Sequence, residues 1–170
     1  MRAFEMGKLT NRVDQEGWDN RFLDLAAFYA GWSKDPSTKC GAVITRGKYQ
    51  VSQGYNGFPK GIADTDGRLY NREEKYPRII HADMHAVLLA GSKAEECTLY
   101  VWPFPPCADC AKHIIQAGVK RVVAPLCFDP GIVERWSTSY DLATDMFQEA
   151  GIIVLHKSET EEQEMSRAQR

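Results

Sequence analysis

The sequence predicts an α/β fold of three layers, α-β-α, built around a five-stranded mixed sheet whose last two strands run parallel. Three observations lead there. An amphipathic helix is followed by two short strands that flank a tight turn. Strands and helices then alternate along the rest of the chain. The link before the final strand, residues 125–151, contains a helix and is long enough for a parallel crossover.

The elements follow in order. Residues 1–16 are polar and mixed in charge and are expected as a loose lead-in, with breaks at Gly7 and Gly17. Trp18, Phe22, Leu25, Ala26, Tyr29 and Trp32 recur at spacings of three and four, which predicts a helix over 18–33 that Pro36 cannot continue. Residues 40–45 and 49–55 read as an antiparallel hairpin around Arg46-Gly47-Lys48. Residues 61–80 are charged and irregular and read as a long functional loop. Helices are expected over 81–89, 107–117 and 140–150, each followed by a glycine, and strands over 97–102, 121–124 and 152–155. Pro125, Pro130 and Gly131 mark a loop, and 158–170 reads as a polar tail. One domain, residues 17–157, thus lies between lead-in and tail.

Composition narrows the function classes. The chain has 170 residues, 44% of them hydrophobic and 26% charged, which suits one globular domain and excludes a disordered chain. Lys+Arg total 21 against 23 Asp+Glu, a net charge of −2, so a basic stripe for duplex nucleic acid is not expected. No apolar run approaches the ~18 residues of a membrane span, and residues 1–16 hold no secretory apolar region. Five cysteines, an odd number without a secretory signal, point to a reducing, cytoplasmic setting.

The chemistry-bearing pattern is His81-Ala82-Asp83 together with Pro106-Cys107-Ala108-Asp109-Cys110. His81 and Cys107 each open an expected helix, where free amides and partial positive charge favour thiolate over thiol. Cys107 and Cys110, three apart, share one helical face. One imidazole and two thiolates make three ligands for a tetrahedral Zn²⁺ with an open fourth position, the arrangement of a catalytic site. Such an ion lowers the pKa of bound water to about 7. Asp83, two residues after His81, is then the candidate proton carrier. A Cys-x-x-Cys also serves redox pairs and half-sites of structural zinc. Here Cys40, Cys97 and Cys127 are scattered and supply no second pair.

This pattern resembles the zinc-dependent cytidine deaminase superfamily, whose signature is H-x-E…P-C-x-x-C. Within it the chain is most similar to the deoxycytidylate (dCMP) deaminases. The supporting stretches are Ser33-Lys34-Asp35-Pro36-Ser37-Thr38-Lys39-Cys40-Gly41-Ala42, Gly54-Tyr55-Asn56-Gly57-Phe58-Pro59-Lys60-Gly61, Lys75-Tyr76-Pro77 and Ile114-Ile115-Gln116-Ala117-Gly118. The resemblance implies a cytidine deaminase-like fold, one catalytic zinc per chain and hydrolytic deamination of dCMP to dUMP and ammonia. It implies His81, Cys107 and Cys110 as ligands and Asp83 as the proton shuttle. It also implies that Asn56 binds the sugar hydroxyl, the Ala82 amide binds the pyrimidine carbonyl, and a carbonyl near Pro105 receives the exocyclic amine. For a phosphate, Lys39 and Lys34 are the first candidates, with Ser33, Lys60 and Arg78 behind them. Tyr55, Phe58 and Trp136 are candidates for stacking on the base. Homo-oligomers and regulation by dCTP and dTTP are further implications of the resemblance, with residues 61–78 the expected place for regulation.

Three features depart from the family pattern. Asp83 stands where the family usually has glutamate, and withdraws the carboxylate by roughly 1–1.5 Å, where an error of about 1 Å costs about a hundredfold in rate. His85 stands where many members have asparagine and is given no metal role. Residues 102–106, Trp-Pro-Phe-Pro-Pro, run one residue longer than the commonest version. Asp83 opens two alternatives: a deaminase of C5-modified dCMP, and a weakened, nucleotide-sensing zinc protein. A polynucleotide deaminase is disfavoured by the acidic charge and the lack of a basic, aromatic groove.

Overall fold

The computed structural model describes residues 2–126 and 129–158, with side chains from Asp14 onward. Cys127 and the expected tail beyond Ser158 lie outside the described residues. Helix α1 (Arg2–Ala30) leads into strands β1 (Gly41–Arg46) and β2 (Tyr49–Tyr55). Two short helices, α2 (Asp66–Tyr70) and α3 (Arg72–Lys75), precede α4 (Ala82–Ala90) and a 3₁₀ turn (Gly91–Ala94). The chain continues through β3 (Thr98–Trp102), α5 (Ala108–Gln116), β4 (Arg121–Pro125), α6 (Pro130–Glu149) and β5 (Ile153–Lys157). The sheet order is β2-β1-β3-β4-β5. The β1–β2 and β1–β3 pairs are antiparallel, while β3–β4 and β4–β5 are parallel. This is the expected five-stranded mixed sheet between helical layers, with its last two strands parallel.

Alternation along the strands makes the two layers. Val43, Tyr100 and Val123 face α1 and pack on Phe22, Leu23 and Ala26. Their neighbours Ala42, Ile44, Leu99, Val101, Val122 and Ala124 face the other way, onto Ala82, Ala86, Ala111, Ile114, Ala143 and Phe147. A buried polar knot pins α1 to the sheet. Asp19 Oδ1 accepts from Arg121 Nη1 at 2.8 Å, from the Tyr100 hydroxyl at 2.8 Å and from Gln15 at 2.9 Å. Burial pushes the Asp19 carboxyl up, but the donated bonds from Arg121, Gln15 and Tyr100 outweigh it and hold the group below its ordinary value.

Three segments differ from the sequence expectation. The helix α1 runs unbroken through Gly7 and Gly17, because one glycine costs a helix only about 1 kcal/mol relative to alanine. It ends at Ala30, and residues 31–33 continue as a turn whose amides bond Phe28, Tyr29 and Ala30 carbonyls at 3.0–3.1 Å. The segment read as loop around Pro130 is the first turn of α6: Asp129 caps it by accepting from the Ile132 amide at 3.0 Å, and Pro130 takes a position where a missing N–H costs nothing. Within 61–80 the chain forms α2 and α3, the second capped by Asn71. Among the described residues no helix is long and apolar enough to cross a membrane.

Two glycines let helices lie against strand backbone. A Cβ at Gly41 would fall 1.9 Å from Ala26 O, and one at Gly54 would fall 2.2 Å from Ala82 O and 2.5 Å from Ala86 N. Gly54→Ala is therefore expected to force α4 off β2, at a cost of about 3 kcal/mol in denaturant unfolding. Gly57→Ala, whose added Cβ meets nothing within 4 Å, is the control and should change little. A second expectation concerns acid. A depressed carboxyl stabilises the fold fully above its unfolded value near 3.9, and that stability disappears as pH falls through the lower folded value. Asp19→Asn should lower stability at pH 7 and flatten its loss in the acid limb below about pH 4, read by thermal unfolding against pH.

Candidate metal centre and its cavity

His81 and Cys107 are the N-cap residues of α4 and α5, both in extended backbone conformation, and neither side chain caps its own helix. Both side chains instead turn toward each other. His81 Nδ1 lies 3.5 Å from Cys107 Sγ and 3.4 Å from Cys110 Sγ, and the three donor atoms all fall within 4.8 Å of one another. Tetrahedral zinc with Zn–N near 2.0–2.1 Å and Zn–S near 2.3 Å has an N···S edge of about 3.5 Å. The donor set therefore fits that ion in both chemistry and spacing. Cys110 comes from the first turn of α5 because it follows Cys107 by three residues, so both sulfurs leave the helix on one side.

The local electrostatics favour metal binding. Contact with Cys110 and with His81 holds the Cys107 thiol well below its ordinary value against its own burial. The same contact raises His81. Asp83 is 3% exposed and its carboxyl is pushed above the ordinary carboxylate value, chiefly by burial. Its Oδ1 accepts from the Met84 amide at 2.8 Å. Cys40 also lines the cavity, but burial and the nearby Asp83 and Asp35 carboxylates push it up to about 12, so it remains a thiol.

A cavity of about 300 Å³ opens beside these groups. Asn56, Ala82, Asp83, Pro105 and Trp136, all singled out in the sequence, line it together with His81 and Cys107. Trp136 meets the His81 ring at 6.2 Å between centroids and stacks on Tyr140 at 6.5 Å. The two lysines expected for a phosphate are not in this wall. Lys34 reaches outward to Asp64 at 2.8 Å, and Lys39 is exposed. Ser33 is buried and donates to Asn56 O at 2.8 Å, while Lys60 is exposed and Arg78 pairs with Glu74 at 3.0 Å. Tyr55 and Phe58 also fall outside the wall; Tyr55 packs between Trp32 and His85. His85 faces the β2 backbone, its Nδ1 3.0 Å from Tyr55 O.

The cations that do face the cavity are Arg72, Lys75 and Arg135, none of them singled out in the sequence as phosphate candidates. Arg72 donates to the Tyr76 hydroxyl from Nε at 3.0 Å and Nη2 at 2.6 Å. Arg135 has no hydrogen bond or ion pair among the described residues. A signal for the α6 contribution does exist: Ile132, Arg135, Trp136 and Tyr140 fall at spacings of three and four and share one helical face once Asp129-Pro130 is recognised as a helix start.

Comparison with known proteins agrees with this geometry. Residues 16–126 match the family described as the cytidine and deoxycytidylate deaminase zinc-binding region. The chain is 41% identical over 140 residues to an uncharacterized deaminase encoded in the luxG 3′ region of Aliivibrio fischeri, covering 81% of this chain and 91% of that protein. It is 38% identical over 120 residues to the deoxycytidylate deaminase of Homo sapiens, covering 66% of each. Its fold matches the crystal structure of the dCMP deaminase from cyanophage S-TIM5 with a TM-score of 0.63 at 22% identity, over 82% of this chain and 96% of that one.

Elemental analysis of the purified chain should find about one zinc per chain. Cys107→Ser and Cys110→Ser should each lose most of it, whereas Cys97→Ser, whose thiol bonds Lys93 O at 3.1 Å away from the donor set, should keep it.

Proposed function

The chain belongs to the cytidine and deoxycytidylate deaminase zinc-binding family, and from that premise we propose that it hydrolyses the C4 amine of dCMP, giving dUMP and ammonia. The observation that carries this reading is the donor triad His81, Cys107 and Cys110, of which His81 and Cys107 line a cavity that the buried carboxyl of Asp83 also lines. Relatives named as deoxycytidylate deaminases support the choice of substrate.

His81, Cys107 and Cys110 would hold the zinc, and the ion would supply the Lewis acidity that makes a water nucleophilic near neutral pH. Asp83 takes one proton from the attacking water and delivers it to N3 of the ring; it then takes the remaining proton from the C4 hydroxyl and passes it to the amine, which leaves as ammonia as the C4–N bond breaks and the C4 carbonyl forms. Its raised proton affinity suits a group that must hold a proton between these two transfers. Ala82 is the first residue of α4, where an amide has no acceptor within its own helix, and it donates to the pyrimidine carbonyl. The Pro105 carbonyl faces the amine, and Asn56 meets the sugar hydroxyl. Trp136 closes the cavity over the base beside His81. The phosphate is met by Arg72 and Arg135, in place of Lys34 and Lys39, because these arginines line the cavity and the lysines do not.

Zinc-loaded protein supplied with dCMP should release dUMP and ammonia in equal amounts, and no turnover of dCMP, C5-substituted dCMP, dCTP or cytidine would remove the enzyme reading. Asp83→Asn should lower kcat by about 10²–10⁴-fold. Arg72→Ala and Arg135→Ala should each lower kcat/KM for dCMP by about 10–100-fold while leaving deoxycytidine nearly unchanged. Asp83→Glu separates the roles of the short acid. A gain in turnover marks an attenuated site, and a loss marks a cavity built around aspartate, with room beside C5 of the ring.

A further inference from the structure

Lys75 is 3% exposed, and no step of the chemistry above uses it. A lysine is almost never buried without a partner, since its ammonium loses its hydration. Its Nζ lies 2.9 Å from Asp35 Oδ1 and 3.1 Å from Ser37 Oγ. Asp35 is buried as well and gathers further donors. Oδ1 accepts from the amides of Ser37 at 2.8 Å and Thr38 at 3.3 Å, and Oδ2 faces Asn56 Nδ2 at 3.5 Å.

This arrangement dictates the orientation of Asn56. An ionised carboxylate only accepts, so whatever faces Asp35 must donate. The Asn56 amino group faces it and also donates to Thr38 O at 2.9 Å, while Asn56 Oδ1 accepts from the Cys40 amide at 2.8 Å. The flipped carboxamide would set oxygen against a carboxylate and a carbonyl, and amine against an amide N–H. Only one orientation is satisfied, and it leaves the second lone pair of Oδ1 unclaimed within this network. The ion pair joins residues 33–40, the end of β2 and α3, and its members line the cavity on the side of Asn56. An ion pair serving only the scaffold has no need to lie on the ligand-facing wall.

We propose that Lys75, acting through Asp35, is a positioning residue: it fixes the Asn56 carboxamide in its single donating and accepting orientation and holds α3, with Arg72, against the cavity. This rests on the nucleotide reading above. The bonds of a charged pair are roughly twice as strong as neutral ones, which lets one contact hold three segments.

The test uses the zinc-loaded full chain. Lys75→Met alone strands a buried carboxylate, so the principal variant is Asp35→Asn with Lys75→Met, which removes both charges together. Lys75→Gln, which retains a donor toward Asp35, is the second. In the folded double variant, with zinc content as in the wild type, KM for both dCMP and deoxycytidine should rise about tenfold, with dUMP binding weakened by a similar factor and kcat within about threefold. Lys75→Gln should move the same constants less. A change in both substrates distinguishes this role from the phosphate contacts, whose loss moves dCMP alone. KM and dUMP affinity unchanged in a folded variant would overturn the proposal. So would a fall in kcat at constant KM, or failure of both variants to fold, since each assigns the pair to the scaffold alone. Wild-type protein that neither turns over dCMP nor binds dUMP removes the nucleotide reading itself. Active wild type with unaltered variants removes only the role of Lys75.

Discussion

Helix α4 lies so close to β2 that Ala82 O and Ala86 N occupy the space a side chain at residue 54 would need, and the rest of the site takes its position from that contact. With the helix axis fixed at backbone distance from the strand, its first residue cannot wander. His81 then stands at a defined height over the end of the sheet. The helix α5 leaves β3 through Pro103 and Pro105-Pro106 and presents Cys107 at its own first turn. The N-termini of α4 and α5 meet there, and the three donor atoms converge without any donor belonging to a flexible loop. The small residues of α4, Ala82, Ala86 and Ala90, serve the same end by letting the helix settle onto the β1–β2 hairpin.

Two opposed electrostatic effects share this small volume. Contact between the cysteines and with His81 favours a thiolate at Cys107, while burial favours the neutral acid at Asp83. Three negative groups would otherwise crowd one buried spot. At the start of α5 the free amides and the partial positive charge of the helix offset the negative charge that a thiolate brings. The Asp83 carboxyl is held locally, its Oδ1 accepting from the Met84 amide.

The donor triad was legible in the sequence because each ligand sits beside a helix start, and helix starts leave local marks: Pro106 before Cys107, and a spacing of three to Cys110. The strands were legible as short apolar runs between turn residues, since β1, β3 and β4 are buried on both faces. The start of α6 was not, since Asp129-Pro130-Gly131 is turn chemistry and N-cap chemistry at once, and only the packing of Ala143 and Phe147 on the sheet decides between them. The cationic residues of the cavity were misplaced for a related reason. Lys34 and Lys39 lie within the motif-rich stretch, and proximity in sequence to a motif says nothing about which way a side chain turns. Lys75 carried the opposite signal: a lysine in a charged segment reads as solvated surface, and its burial is set by Asp35, forty positions away.

The cavity is assembled from two parts of different origin in the chain. Residues 16–126, the stretch matched by the family, supply the metal donors, Asp83, Asn56 and the Lys75–Asp35 pair. The opposite wall, with Ile132, Arg135, Trp136 and Tyr140, comes from α6, beyond that stretch. The first part holds the three donor atoms and the buried Asp83 carboxyl. The second adds an aromatic face beside His81 and one cation that has no partner among the described residues. Helix α6 is anchored to the sheet through Ala143 and Phe147, and Trp136 and Tyr140 pack partly against the same core while lining the cavity. The cavity thus joins side chains of separate origin: Arg135 and Trp136 from α6 and Arg72 from α3 face the donor atoms and the Asp83 carboxyl, which come from the starts of α4 and α5.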